Sequence, residues 1–355
     1  MTMVEMDQPR PTHVLERGHY DSPGERVEPV TPEALIAFGE HLPRNRLGLA
    51  KWATDPRHPL TARVAVNRLW MLFFGQGLVA TPEDFGNQGA LPTHPELLDT
   101  LALDFIDSGW DVKAMCMRIV SSATYRQSSR VPLQQRNQDP ANTLLARGPG
   151  FRLTAEMIRD QALAASGLLA PRMGGPSVYP YQPAGLWQEK SGKNYPQGTG
   201  ESLYRRSLYT FWKRTSPPPS MMILDSAKRD VCVARRSQTT TPLQALLLLN
   251  DPQYVEASRV LAQRAMVQEQ ASTEDQINYV FRLLSSRQPT PEERALLEKL
   301  HAEYLAAFME DTSAAELVAR AGSADTIASL PDAQVAALAI VCSTILNSDS
   351  ALMRR

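Results

Sequence analysis

Apolar residues recur at helical spacing along most of the chain. Leu97, Leu98, Leu101 and Phe105 fall on one helix face, as do Val112, Met115, Cys116 and Ile119, and then Met157, Ile158, Ala162, Ala165 and Leu169. The spacing returns in Ile277, Val280, Phe281 and Leu284, in Leu297, Leu300, Tyr304 and Phe308, and in Val335, Leu338, Cys342 and Ile345. Residues 69–74 and 245–249 are apolar on nearly every side, which predicts helices buried centrally. Alternation of the strand kind is confined to short pieces such as 63–66 and 231–233, and the first reads better as the opening of a helix.

Helix starts are marked by threonine. Thr93, Thr241 and Thr290 each stand three residues before Glu or Gln, the spacing of a capping box, and Pro242 and Pro291 occupy first helical positions where a missing N–H costs nothing. Thr31-Pro32 and Thr81-Pro82 are weaker versions. Residues 170–237 differ in kind. They are dense in Gly, Pro and Tyr and do not sustain a helix, yet Tyr179, Tyr181, Trp187, Tyr195, Tyr204, Tyr209, Phe211 and Trp212 carry enough apolar area to pack. The fold expected is mainly α: an irregular multi-helix globular domain with a long ordered Gly/Pro/aromatic loop region and little or no sheet. Its expected parts are an extended N-terminal arm or linker remnant over 1–44, a main helical domain over 45–268 containing the irregular segment, and a C-terminal helical subdomain over 269–355.

Composition narrows the chemistry. The 355 residues carry 37 Lys plus Arg against 38 Asp plus Glu, a formal charge of −1, so nothing attracts the whole chain to nucleic acid or an anionic membrane. Cys116, Cys232 and Cys342 lack the spacing of a structural zinc or c-type haem site, and the six histidines show no ligand pair, so no metal is expected. No stretch reaches the ~18 apolar residues of a membrane span, and the opening residues have no signal-peptide core.

The charge is unevenly placed. Residues 201–236 hold eight cations and three acids, an excess of five that leaves about −6 for the remainder. Internal ion pairing of this loop against acidic helices accounts for that excess better than phosphate tracking, because a nucleic-acid surface normally leaves its domain basic. Arginines flanked by Tyr and Trp also suit carboxylate, sulfate or sugar ligands, through bidentate hydrogen bonds and ring stacking. The candidate ligand-binding residues are Tyr181, Trp187, Tyr204, Arg205, Arg206, Trp212, Arg214, Asp225, Arg229, Arg235 and Arg236. Secondary candidates are Arg63 and Asn67 on a buried helix, Arg159 and Asp160 beside Glu156, and Cys232, whose flanking cations would favour a thiolate.

The strings PLTARVAVNRLW, FGNQGALPTHPELLDTLA, IVSSATYRQSS, LTAEMIRDQALAASGLL, GGPSVYPYQP, YRRSLYTFWKRTSPPPSM and TPLQALLLLNDP, in this order, resemble the planctomycete domain-of-unknown-function family catalogued as 1553. The resemblance implies an extracytoplasmic bacterial setting, with relatives that are C-terminal parts of exported proteins and often carry a cytochrome-c-like head. Haem belongs to that head, since this chain has no CxxCH. Departures flank the basic loop: Thr240 stands where relatives usually have Asn, and Leu224-Asp225-Ser226-Ala227 replaces Phe-Asp-Ala-Pro. Three readings remain open: a ligand-binding or scaffold domain of an exported assembly that contacts anionic polysaccharide, an enzyme acting on such a polysaccharide, and a docking module for a cytochrome-c-like partner.

Overall fold

A computed structural model describes residues 4–8, 10–270 and 272–354. Helix accounts for about 49% of the chain, against two small two-stranded sheets among the described residues. The chain divides into two compact units, the first ending at Pro149 and the second beginning at Gly150.

The first unit opens on an antiparallel hairpin, β1 (Thr12–Leu15) and β2 (Pro23–Val27), followed by α1 (Arg46–Ala53), α2 (Thr61–Phe74), α3 (Pro95–Asp107), α4 (Val112–Ser121) and the short α5 (Leu133–Gln138). Its core is where α2, α3 and α4 bring together Val66, Trp70, Leu98, Leu101, Phe105, Met115 and Ile119. Trp70 stacks on Phe74 with ring centroids 4.1 Å apart. Asn67 is fully buried in this core and acts as a piece of β-ladder. Its Nδ2 donates to the Val79 carbonyl at 3.0 Å and its Oδ1 accepts from the Val79 N–H at 2.9 Å. A Cβ on Gly77 would lie 2.6 Å from the Asn67 amide, so the connection after α2 needs glycine there. His58 takes the place of a helix cap, its Nδ1 accepting from the Thr61 N–H at 3.2 Å as α2 begins.

The second unit comprises β3 (Phe151–Arg152), α6 (Ala155–Ser166), α7 (Leu186–Ser191), α8 (Pro219–Ile223), α9 (Pro242–Asn250), α10 (Pro252–Gln268), α11 (Thr273–Ser285), α12 (Pro291–Glu310), α13 (Thr312–Ala319), α14 (Asp332–Leu346), α15 (Asp349–Leu352) and β4 (Met353–Arg354). At its centre α10 lies against α14, and Ala257, Ala262 and Ala265 of α10 share a buried cluster with Ala339 of α14, while Ala336 and Ala337 of α14 pack with Phe308 of α12 and Ala315 of α13. Small side chains let two helix axes approach closely. Around this pair α6, α11 and α12 add Ile158, Ile277, Val280, Phe281, Leu284 and Leu297.

Several sequence expectations need correction. The capping boxes at Thr241 and Thr290 form, but Thr93 does not cap α3: its hydroxyl and N–H both go to the Leu78 carbonyl, leaving His94 as N-cap. Thr31 and Thr81 start no helix; the Thr81 hydroxyl instead closes a turn with Asp84 and Ala90. Residues 245–249 do not form a centrally buried helix, because one side of α9 faces solvent; residues 69–74 are buried only on the Trp70 and Phe74 side, with Leu72 exposed. Periodicity cannot find the face of a segment that is apolar all round. Residues 231–233 form no strand. Helical turns do occur within residues 170–237, at α7 and α8, because packed rings and proline-started turns hold pieces too short to persist alone.

Asn67→Ala strands both backbone groups of Val79 in a dry core and is expected to destabilise the protein by about 3 kcal/mol, read as a shifted midpoint in urea unfolding.

Candidate functional site

A backbone without helix or strand has carbonyls that its own fold does not pair, and where it is buried they need donors from elsewhere. The irregular wall, residues 170–237, meets this need with arginine. Arg159 on α6 is 1% exposed and reaches across to it, with Nη2 donating to the Leu203 carbonyl at 2.8 Å and Nη1 to the Arg205 carbonyl at 2.7 Å. Its Nε donates to Gln253 Oε1 at 2.6 Å, tying α6 to α10 in the same stroke. Burial pulls the Arg159 guanidinium below its usual pKa, opposed first by the Asp160 charge. Asp160 completes the joint by accepting from the Ser207 N–H at 2.8 Å and its hydroxyl at 2.7 Å.

Arg205 repeats the device within the wall. Its guanidinium donates to the carbonyls of Arg172, Gly174 and Pro176 and lies 3.8 Å from the centroid of the Tyr209 ring. The neighbouring aromatics pack on one another. Tyr179, Trp187, Tyr195 and Phe211 form a cluster with centroids 4.9 to 6.1 Å apart, and Lys213 Nζ sits 4.2 Å over Trp187. Two isolated bridges, Ala170 with Arg205 and Val178 with Thr210, supply the wall's little regular pairing.

On α10 a buried polar stripe serves a second irregular stretch. Glu256, fully buried, accepts at Oε1 from Tyr204 Oη at 2.9 Å and from the N–H groups of Ser323 and Ala324. Arg259, one turn on and also fully buried, donates to the carbonyls of Ala321, Ala324 and Asp325. Tyr181 closes the group through the Ser323 hydroxyl, 2.9 Å away. Burial and the bond to Glu256 push the Tyr204 hydroxyl above its ordinary pKa, so it remains a donor. Gly322 has φ +92°, and a Cβ there would lie 2.3 Å from the Glu256 carboxyl carbon.

The far end of the wall is latched by carboxylates. Asp225 accepts from Arg152 Nη2 at 2.7 Å, from the Thr239 N–H at 2.7 Å, and from Gln244 Nε2 at 3.2 Å. Glu156 on α6 accepts from Arg236 Nη1 at 2.7 Å and from the Ser226 hydroxyl at 3.2 Å. For both acids burial pushes the pKa up, but the Thr239 bonds and the Arg152 charge at Asp225, and the Arg236 bond and charge at Glu156, outweigh it and hold them below their ordinary values.

The candidates thus separate. Tyr204, Arg205 and Trp187 are buried and engaged in holding the wall, as is Arg159; Asp160, Tyr181 and Asp225 are half-buried and engaged likewise. Trp212 is half-buried, its Nε1 donating to the Lys228 carbonyl at 2.8 Å, and exposed Arg229 lies 4.7 Å over its ring. Arg206, Arg214, Arg235 and Arg236 are exposed, and of these Arg236 pairs with Glu156. Cys232 is exposed among them. Arg63 and Asn67 belong to the first unit, where Arg63 pairs with Asp99 at 2.7 Å. Glu256, Arg259 and Arg152 were missed; the only signal for the first two was a charged pair one turn apart among the small residues of YVEASRVLA. Recesses of about 770 Å³, beside Phe38, Arg44 and Leu49, and about 340 Å³, beside Tyr279, Arg282 and Arg294, contain none of the candidates. Among the described residues no group of three or more His, Cys, Asp or Glu is placed to hold a metal ion, and no helix is long and apolar enough to cross a membrane.

A helical body covered by an arginine-stitched wall defines a mainly α protein of irregular multi-helix type. The model of the PSD1 family, described as a protein of unknown function (DUF1553), matches residues 45–301, and the chain belongs to that family. No curated protein and no solved structure matches it.

Arg159→Met leaves two wall carbonyls and Gln253 without their donor and is expected to cost about 4 kcal/mol, with Arg159→Lys recovering only part, since an ammonium cannot span three acceptors set apart in a plane. Depressed carboxylates add stability at pH values above their unfolded pKa and lose it as pH falls through the folded one. Acidification below about pH 4 is therefore expected to release residues 226–239 before the helices melt, read as early proteolysis in that loop; Asp225→Asn should show the same cleavage at neutral pH.

Proposed function

We propose that this chain is a non-catalytic binding or scaffold domain whose wall presents cations to an anionic partner surface, an anionic polysaccharide being the ligand class of that chemistry. One observation carries the reading. The buried arginines of the wall are occupied with main-chain carbonyls, which makes the wall rigid, while Arg206, Arg214, Lys228, Arg229 and Arg235 remain exposed on it. A rigid array of cations binds a polyanion without first ordering itself, so less of the interaction is lost to entropy.

The alternative of an enzyme acting on the same polymer requires a carboxylate available to substrate. Asp225 spends both oxygens on Thr239, Gln244 and Arg152, Asp160 commits Oδ1 to Ser207, and exposed Asp230 lines neither of the recesses described above, which favours binding over hydrolysis.

Affinity electrophoresis through gels containing a polyuronate or a sulfated galactan tests this. The wild type is expected to be retarded relative to a neutral dextran gel, the retardation falling as salt is raised. The double variant Arg214→Glu/Arg235→Glu should lose about tenfold in affinity with an unchanged melting temperature. Equal retardation of variant and wild type would remove the basis of the proposal.

A further inference from the structure

We infer that a recess in the first unit binds an amphiphile with an anionic head and an aliphatic chain, a ligand class distinct from the polymer proposed for the wall. The recess has a volume of about 770 Å³ and lies where residues 4–7, residues 29–31 and the first turn of α1 come together. Small-molecule sites run to about 300–1,000 Å³. Apolar and cationic side chains line it jointly. Val4, Met6, Val30 and Leu49 are each at least half exposed around it, beside Pro29 and Phe38. Single exposed apolar residues are ordinary on a protein surface, whereas several that converge on one hollow mark a place where apolar matter is received.

The charges of the same lining decide the head. Arg10, Arg44 and Arg46 stand there against Glu5 and Asp7. Arg46 is engaged with the chain itself. Its Nε donates to Glu5 Oε1 at 2.9 Å, its N–H to the same oxygen at 3.4 Å, and its Nη2 to the Val4 carbonyl at 3.2 Å. A carboxylate with apolar residues on either side is thus already received in the lining. Arg10 and Arg44 have no partner among the described residues and leave the recess with an excess of positive charge beside its apolar surface. The one buried lining residue, Thr31, is 8% exposed and its hydroxyl has no hydrogen-bond partner, so a headgroup accepting from it would satisfy a donor that the chain leaves open. A sugar polymer would meet the arginines but leave the aliphatic side chains in water. An extended peptide would find no edge to pair with, since no lining residue lies in a strand. A carboxylate, phosphate monoester or sulfate that carries an alkyl chain satisfies both halves of the lining.

The test is isothermal titration of the full chain with decanoate, decyl phosphate and decyl sulfate, each kept below its micelle concentration, with decanol, decyltrimethylammonium and acetate as controls. One equivalent of a decyl anion is expected to bind with a Kd below about 1 mM, and the order of the three identifies the headgroup. Octanoate is expected to bind at least about threefold more weakly than decanoate, since each methylene taken out of water is worth up to about fourfold. The double variant Arg10→Gln/Arg44→Gln should lose about tenfold in affinity and Leu49→Gln about threefold, while Arg68→Gln, an exposed cation of α2 outside the recess, should change nothing. All four positions are solvent-facing, and circular dichroism checks that each variant is folded. Failure of all three anions to saturate by about 5 mM, equal binding of decanol or decyltrimethylammonium, acetate as tight as decanoate, affinity indifferent to the recess variants, or an equal loss in Arg68→Gln would overturn the inference. A capped peptide of residues 4–7 that binds more tightly than decanoate would overturn it in favour of a peptide ligand.

Discussion

Buried backbone must be hydrogen-bonded, and a chain that runs irregularly across a helical body has no ladder with which to do it. In this protein the guanidinium group answers that constraint. Its five donors diverge in a plane and reach several carbonyls that no single amide could serve together. Arg159, Arg205 and Arg259 each serve two or three main-chain carbonyls, and Arg152 does the same for Leu224 and Thr239. The helices supply the apolar core, while the arginines decide where the remaining segments lie on it. Each buried guanidinium of this set donates to several acceptors, the condition under which burying a charge is tolerable, although the Nε of Arg152 and of Arg205 is buried without a partner.

The same arrangement separates buried from exposed cations along one short stretch. Arg205 and Arg206 are neighbours of identical type, but one is sunk among the carbonyls of residues 172–176 and the other stands in water. A wall so held can keep its outer cations in place, which a free loop cannot. Aromatic residues that read as ring-stacking ligand contacts, Trp187 above all, instead fill the space between wall segments with ring-to-ring packing.

What was legible beforehand follows from the range of the signal. The stripe Ile277, Val280, Phe281 and Leu284, and the row from Val335 to Ile345, are local patterns, and all of those residues are buried. Thr241 and Thr290 announce their helices because a cap is complete within four residues. Gly and Pro density marked the wall as irregular, and its aromatics marked it as packed. The side of the backbone from which each arginine leaves was not legible, because that depends on φ and ψ in a segment with no period. Nor was the burial of Glu256 and Arg259, a pair one turn apart that on most helices is a solvated surface pair. Family membership, shown over residues 45–301, gives the chain its relatives but assigns no chemistry to these positions.

Arg159 joins positions that lie 44, 46 and 94 residues away along the chain. Each of these bonds closes a long stretch of chain, and those to Leu203 and Arg205 fix the wall on α6 while that to Gln253 fixes α6 on α10. The wall is thereby held by contacts distant in sequence, whose formation carries the entropy of closing large loops. A substitution on α6 therefore reaches the path of the wall as directly as one made within it.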